Sequence, residues 1–146
     1  MSQSRTQSPS CAEDNSIELS IVTPMYNEEG GIDLFLRTTV PIVEAVTLDY
    51  EIICVNDGSS DQTAAKLAEA HLRNFRVKVV SLSRNFGKEL ALTAGLDHAS
   101  GRAVIPIDAD LQDPPELIPQ LVAKWREGYD MVLAMRSDRS TDSFLK

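Results

Sequence analysis

The chain has 146 residues, of which 42% are hydrophobic and 25% charged, a composition typical of one soluble globular domain. This composition excludes a disordered chain, a collagen-like chain and a small disulfide scaffold. The net charge is -8, and residues 1–65 carry 2 basic and 11 acidic side chains, against 12 and 11 in residues 66–146. An acidic first half without a Lys/Arg cluster argues against nucleic-acid binding.

The cysteines and the hydropathy pattern indicate where the chain resides. Cys11 lies in a polar segment and Cys54 in an apolar run, which suggests neither a disulfide nor a metal site and favours a reducing, cytosolic environment. No run approaches the ~18 apolar residues of a membrane span, and the first ten residues lack the apolar stretch of a signal peptide. We therefore expect these 146 residues to be soluble.

In chain order, a polar tail precedes alternating strand and helix patterns. Residues 1–16 are rich in Ser, Gln and Asn and are predicted to be disordered, which leaves 17–146 as the folded part. Five short β-rich runs then alternate with four amphipathic stretches. The strands are predicted near 18–23, 51–56, 77–82, 103–107 and 130–135. This alternation predicts an α/β fold, a three-layer sandwich in which helices cover both faces of a mostly parallel sheet.

The first two helices have recognisable starts. Asn27 and the two glutamates after it favour the start of the first helix, and Pro41 predicts a kink or a division into two pieces. Ser60 or Asp61 is predicted to cap the second helix. Its sheet-facing stripe is predicted to comprise Ala64, Leu67, Ala68, His71, Leu72 and Phe75.

The last two helices are shorter. The third is predicted at about 88–99. The fourth is predicted to run from Pro114 to Glu127, to bury Leu117, Leu121 and Trp125, and to stop at Gly128. His71, on the apolar helical face, and His98, in the last turn of its helix, are interpreted as structural.

The most distinctive polar residues follow the predicted strands, where parallel sheets bind ligands. Asp108 and Asp110 come directly after the fourth strand, with Gln112 just beyond, and these oxygen ligands suit Mg²⁺ or Mn²⁺. A solvated turn whose Asp side chains cap the next helix is the simpler alternative.

Three other loops also have two interpretations each. Asp57 follows the second strand, where it is placed to bond a base or ribose. The alternative for this loop is an Asx turn with a helix cap, which needs Ser60 or Asp61 but gives no reason for Asp57. Tyr26 is placed to stack on a nucleobase or to pack against the protein. Lys88, in a loop that also contains Arg84, is placed to meet a diphosphate or to remain a solvated charge.

Taken together, the loops resemble family 2 glycosyltransferases of the GT-A fold. The segments that carry the resemblance are IVTPMYNEE (21–29), VNDGSSDQT (55–63), SRNFGKE (83–89) and DADLQDPPE (108–116). The resemblance is greatest to polyprenyl-phosphate glycosyltransferases, the bactoprenol glucosyltransferases and dolichol-phosphate mannose synthases. It covers residues 19–146.

The resemblance implies roles for individual residues. Pro24, Tyr26 and Glu28 would shape the nucleoside pocket, with Asp57 bonding the base. Asp108 would contact ribose and metal, with Asp110 and Gln112 as further metal ligands. Lys88 would approach the diphosphate, and Arg136 and Arg139 would meet the acceptor phosphate.

The implied activity is metal-dependent, inverting transfer of a hexose, glucose from UDP-glucose, to a polyprenyl phosphate such as undecaprenyl phosphate. A carboxylate placed ~4 Å from a diphosphate charge costs about 4 kcal/mol at an effective dielectric of ~20, so a divalent cation is needed to bridge them. Such relatives are longer and work at the cytoplasmic face of the cell membrane, through segments that these residues do not include. Any carboxylate base is therefore expected beyond Lys146.

Two alternatives to this activity are a non-catalytic module that binds nucleotide sugars and a phosphatase with Asp108 as an aspartyl nucleophile. The phosphatase is disfavoured because Gln112 replaces the expected Thr or Val, and because the motif follows the fourth strand rather than the first. The chain also lacks a P-loop and a dinucleotide-binding glycine motif.

Overall fold

The fold is built on a four-stranded parallel sheet. The computed structural model describes residues 16–134, and the predicted tail, apart from Ser16, lies outside them. The strands are β1 (Leu19–Met25), β2 (Tyr50–Asn56), β3 (Val77–Ser81) and β4 (Ala103–Pro106), in the order β3-β2-β1-β4. All three pairings are parallel. Every residue of β2 is buried, as expected of a central parallel strand covered on both faces.

Helices cover both faces of this sheet. They are α1 (Ile32–Val46), α2 (Thr63–Arg73), α3 (Lys88–His98) and α4 (Ile118–Arg126), with a 3-10 turn at Pro115–Leu117 before α4. The helices α1, α2 and α4 share one core with alternate residues of the strands, including Leu19, Ile21 and Ile52. The helix α3 packs on the opposite face, against Val22 and Val55. The predicted three-layer α/β architecture is confirmed.

The helix α3 lies close to the sheet because of Gly95. A Cβ at this position would lie 2.4 Å from Val22 Cγ1 and 2.8 Å from Val55 Cγ2, inside any real contact distance. The absence of a side chain therefore lets the backbone of α3 rest directly on β1 and β2. This contact fixes the distance between α3 and the sheet.

The start of α1 differs from the prediction. Asn27 caps no helix; its backbone has a left-handed φ of 51°, and its Oδ1 accepts hydrogen bonds from the backbone and hydroxyl of Ser60. Pro41 does not divide α1, which is continuous from Ile32 to Val46. Because Pro41 and Arg37 are exposed, water can satisfy the carbonyl that loses its helical partner.

The buried stripes of α2 and α4 are rotated relative to the prediction. In α2, Leu67 is buried and His71 half-buried as predicted, whereas Ala64 and Ala68 are exposed. Leu72, and Phe75 just after the helix, are each 72% exposed. In α4 the buried residues are Ile118 and Val122, whereas Leu117, Leu121 and Trp125 are half-buried. Both helices carry two apolar stripes, and their positions against neighbouring helices decide which stripe faces the core. The helix α4 ends before Gly128, whose φ is 108°.

The predicted strand at 130–135 is wrong for the part that the structure describes. Residues 130–134 adopt no regular structure. A groove of about 600 Å³ lies between β4, α4 and these residues. An apolar run becomes a strand only when its backbone pairs with a neighbouring strand. Among the described residues β4 pairs with β1, and residues 130–134 do not pair with its other edge.

Two findings bear on the predicted environment. Cys54 is a free, buried thiol in β2, and burial raises its pKa to about 12. Between residues 16 and 134, no helix combines the length and the hydrophobicity that crossing a membrane requires.

Candidate functional site

A cleft of about 260 Å³ lies at the carboxyl ends of the strands. The loops after β1, β2, β3 and β4 all contribute to it. It is lined by Pro24, Met25, Tyr26, Glu28, Asp57, Asn85, Gly87, Lys88, Asp108, Ala109 and Asp110. The structure thus brings together seven of the residues singled out in the sequence. Gln112 is exposed and does not line the cleft, and Arg136 and Arg139 lie outside the described residues.

The loops after β1 and β2 are joined by reciprocal hydrogen bonds. The Asn27 amide donates to Ser59 Oγ (3.0 Å), and the Glu28 amide donates to Thr63 Oγ1 (2.9 Å). In the other direction, the Ser60 amide donates to Asn27 Oδ1 (2.9 Å). Sequence patterns did not indicate this link, because the paired residues are more than thirty positions apart. The link holds the backbone beside Tyr26, whose ring is half exposed at the mouth of the cleft.

The N-cap residue of α2 is Gln62, which makes no side-chain cap hydrogen bond, and the predicted Asp61 instead holds the first turn from the position before it. Asp61 Oδ1 accepts hydrogen bonds from the amide of Thr63 (2.9 Å), the first residue of the helix, and from the Thr63 hydroxyl (2.5 Å). Desolvation is the largest single influence and raises the pKa of Asp61, but these bonds and the one from the Glu29 amide together outweigh it, so the net pKa is lowered. The start of the helix therefore engages Asp61, and Asp57 is left for another role.

Asp57 lies at the floor of the cleft and is 2% exposed. Its Oδ1 accepts a hydrogen bond from the Phe86 amide (2.8 Å). Its Oδ2 accepts from the Gly87 amide (3.1 Å) and from Asn85 Nδ2 (3.4 Å). All three donors belong to the loop between β3 and α3, and no pattern in the sequence indicated this contact.

Lys88 begins α3 and extends to the far side of the cleft. Its Nζ lies 2.7 Å from Asp108 Oδ1 and 2.8 Å from Oδ2, an ion pair in which the Lys88 side chain is 65% exposed. The hydrogen bond to Asp108 is the main reason that the pKa of Lys88 is raised. Desolvation opposes this effect, and the charges of Asp108, Asp110 and Asp113 add to it. Arg84 is the other cation of this loop, and its guanidinium carbon lies 4.0 Å from the centre of the Phe86 ring.

The carboxylates after β4 form an oxygen-rich wall. Leu111 has a left-handed φ of 61°, and this sharp bend follows Asp110, whose Oδ1 accepts a hydrogen bond from the Gln112 amide (3.1 Å). Among residues 16–134, no three acidic, His or Cys side chains converge as a metal site. Mg²⁺ and similar hard cations commonly use one or two carboxylates together with substrate phosphates. Asp108 and Asp110 are therefore sufficient carboxylate ligands for such a cation, provided that a diphosphate supplies the remaining oxygen ligands.

The chain matches a known protein family over most of its length. The model of glycosyl transferase family 2 matches residues 20–146. A protein named "Uncharacterized glycosyltransferase" from Synechocystis is 56% identical over 131 residues, 90% of this chain and 41% of that protein. The bactoprenol glucosyl transferase of Shigella phage SfV is 52% identical over 130 residues, 89% of this chain and 42% of that protein. The chain thus spans about two fifths of the length of these curated relatives.

Solved structures share the fold. A Pyrobaculum calidifontis mannosyltransferase, in complex with GDP-Man and Mn²⁺, superposes with a TM-score of 0.63 at 24% identity, covering 80% of this chain and 35% of that one. The Mycobacterium tuberculosis glucosyl-3-phosphoglycerate synthase, in complex with Mn²⁺, UDP and glucosyl-3-phosphoglycerate, has a TM-score of 0.59 at 27% identity, covering 83% and 46%. These proteins are GT-A glycosyltransferases, so the expected fold is confirmed.

Proposed function

Because the chain belongs to glycosyl transferase family 2, we propose that its cleft binds UDP-glucose and that the protein transfers glucose to a polyprenyl phosphate such as undecaprenyl phosphate. The high identity to proteins named bactoprenol glucosyl transferase supports this donor sugar and this acceptor. The observation that carries the proposal is the cleft itself. It combines an aromatic side chain, an ammonium group and the two carboxylates that follow β4, Asp108 and Asp110, at the carboxyl ends of parallel strands.

The nucleoside occupies the side of the cleft formed by the β1 loop. Tyr26 is half exposed there and offers a ring face for stacking on the base, with Pro24 and Glu28 beside it. The hydrogen bonds between the β1 and β2 loops hold this side in place before the donor binds. Preorganisation of this kind reduces the entropy lost on binding.

The diphosphate lies toward the loop after β4, where charge decides the chemistry. Asp108 and Asp110, joined by Gln112 if its exposed side chain turned toward them, would hold Mg²⁺ or Mn²⁺. Such a cation would supply the positive charge that offsets the diphosphate and the departing UDP. Lys88, already paired with Asp108, is within side-chain reach of the same phosphates and adds a second positive charge.

The acceptor phosphate needs orientation more than deprotonation, since it is already ionised near pH 7. Arg136 and Arg139 bind it in line with the anomeric carbon. Its oxygen forms the new bond to that carbon as the bond to the UDP oxygen breaks, with inversion of configuration. The electron pair leaves with UDP, and no proton transfer is required. In the whole protein this reaction takes place at the cytoplasmic face of the membrane, where a lipid acceptor is available.

Calorimetric titration of UDP into the 146-residue chain tests donor binding. We expect Mn²⁺ to strengthen UDP binding at least about tenfold, because it offsets the repulsion between carboxylates and diphosphate. Asp110→Ala should abolish this gain, while Asp49→Ala, an exposed carboxylate after α1, should retain it. UDP affinity that is the same with and without Mn²⁺ would contradict the metal's role.

Product formation tests the transfer reaction. The chain is incubated with radiolabelled UDP-glucose, Mn²⁺ and undecaprenyl phosphate, and lipid-extractable label is counted. We expect labelled lipid with this acceptor and none with the unphosphorylated polyprenol. Metal-dependent UDP binding without any labelled lipid would instead assign these residues to a nucleotide-sugar-binding module.

A further inference from the structure

Asp57 holds a loop from a distant part of the chain. Its carboxylate accepts three hydrogen bonds from Asn85, Phe86 and Gly87, which are 28 to 30 positions away. Its own amide donates to the Met25 carbonyl at 2.9 Å, so its position is fixed at the end of β1. A buried carboxylate that receives backbone amides in this way fixes the loop that supplies them.

Gly58 provides a second contact with the same loop. A Cβ on Gly58 would lie 2.1 Å from the carbonyl carbon of Arg84 and 2.3 Å from the amide nitrogen of Asn85. The loop backbone therefore rests directly on Gly58, whose φ of 66° also disfavours a side chain. Two consecutive residues thus hold four consecutive residues of the loop, from Arg84 to Gly87.

The loop ends at Lys88. Gly87, which donates to Asp57, directly precedes Lys88 at the start of α3, and the Lys88 ammonium reaches across the cleft to Asp108. A flexible side chain places its charge accurately only when its backbone is fixed. Misplacement of a binding group by about 1 Å is enough to cost up to about a hundredfold in rate.

We propose that Asp57 and Gly58 are positioning residues: they seat the loop from Arg84 to Gly87 so that the Lys88 ammonium meets the diphosphate of the donor. The identity of this ligand rests on the proposed function. The role differs from the one that the family resemblance implies, in which Asp57 bonds the base. A carboxylate offers about four acceptor positions, and three of those of Asp57 are engaged by the loop.

Comparing UDP with inorganic pyrophosphate separates the two roles, because pyrophosphate has no base. Each is titrated in the presence of Mn²⁺. We expect Asp57→Asn to weaken both ligands by a similar factor, about tenfold. A variant that binds UDP more weakly but pyrophosphate as well as the parent protein does would overturn the proposal and make Asp57 a base-recognition residue.

Two further variants show whether Asp57 acts through Lys88. Gly58→Ala should reproduce the loss for both ligands, since its Cβ displaces the same loop. In a Lys88→Met background, Asp57→Asn should cause little additional loss; a full additional loss would overturn the proposal. The matched control is Asp49→Asn, an exposed carboxylate outside the cleft, which should bind both ligands normally.

Amide hydrogen exchange tests the anchor without any ligand. The Phe86 and Gly87 amides should be protected in the parent chain and should exchange faster in Asp57→Asn. Unprotected amides in the parent chain would overturn the anchor. If the parent chain binds neither UDP nor pyrophosphate, the proposed function fails, while the exchange result still decides whether Asp57 holds the loop.

Discussion

The ammonium group of Lys88 faces Asp108 directly, and the charges of Asp110 and Asp113 also act on it. In the free protein it partly neutralises the carboxylates that would bind a divalent ion. The same side chain would favour the diphosphate once a donor is present. We therefore expect this single charge to have effects of opposite sign on the binding of the metal and of the nucleotide.

Lys88→Met should show both effects. Mn²⁺ binding without nucleotide should strengthen roughly threefold to tenfold, because a repelling charge is removed from an exposed, screened site. UDP binding in the presence of Mn²⁺ should weaken. Paramagnetic resonance titration of free Mn²⁺ measures the first and calorimetry the second, with the exposed Lys124→Met as control. Weaker Mn²⁺ binding to the Lys88 variant would show that the ammonium does not compete with the metal.

At the scale of secondary-structure elements, a buried carboxylate joins three strands and a turn. Glu51, in β2, is fully buried and accepts hydrogen bonds from Ser20 Oγ of β1 (2.6 Å), Lys78 Nζ of β3 (2.5 Å) and the Ser100 amide (2.7 Å) before β4. Burial raises the pKa of Glu51, but these hydrogen bonds outweigh it and the net pKa is lowered. The network lies at the amino ends of the strands, opposite the cleft, so it stabilises the sheet without contacting the site.

Glu51→Gln should destabilise the fold by about 2–4 kcal/mol at pH 7, because buried donors lose a charged acceptor. A carboxylate with a lowered pKa stabilises the folded state above its unfolded pKa of about 4.3, and this stabilisation is lost as the pH falls through the lower folded value. The difference from the parent should therefore shrink between pH 6 and pH 3 in urea denaturation. Glu69→Gln, which removes an exposed helical ion pair, is the control. A difference that stays constant with pH would contradict the ionised network.

Gly95→Ala should also destabilise the fold, although alanine favours helices. The added Cβ overlaps Val22 and Val55, so α3 must move away from the sheet, at a cost of about 1–3 kcal/mol. Gly30→Ala provides the control, since a Cβ there meets nothing within 4 Å. Urea denaturation of both variants measures the difference; equal stability of the two would show that α3 adapts without strain.

Hydrophobic pattern predicted the strands better than the faces of the helices. The strands β1 and β2 are central and covered on both faces, so their residues are predominantly apolar along the whole strand and mark it directly. The helix α2 packs against β3 at one side of the sheet. Its residues Leu67 and Ala70 face the core there. Leu72 belongs to a second, equally apolar stripe that faces solvent. Periodicity identifies a helix, but the neighbouring elements decide its rotation.

At the scale of the whole molecule, the position of the site followed from topology. Residues after parallel strands meet at one edge of the sheet, so Tyr26, Asp57 and Asp108 could be placed in one cleft from the sequence alone. Their partners could not be predicted. The bonds from Phe86 to Asp57 and from Ser60 to Asn27 join residues about thirty positions apart, and such long-range contacts depend on how neighbouring loops pack.

Because loops from all four strands line the cleft, donor binding should stabilise the whole fold rather than one loop. A ligand present at a hundred times its Kd adds about 2.7 kcal/mol, which corresponds to a rise in Tm of roughly 5 to 11 °C for a domain of this size. UDP with Mn²⁺ should produce this rise in a thermal melt. UMP with Mn²⁺ should produce much less, because it lacks the second phosphate that faces Lys88 and the carboxylates. An equal shift with UMP, or with UDP in a chelator, would show that the diphosphate and the cation do not bind together in the cleft.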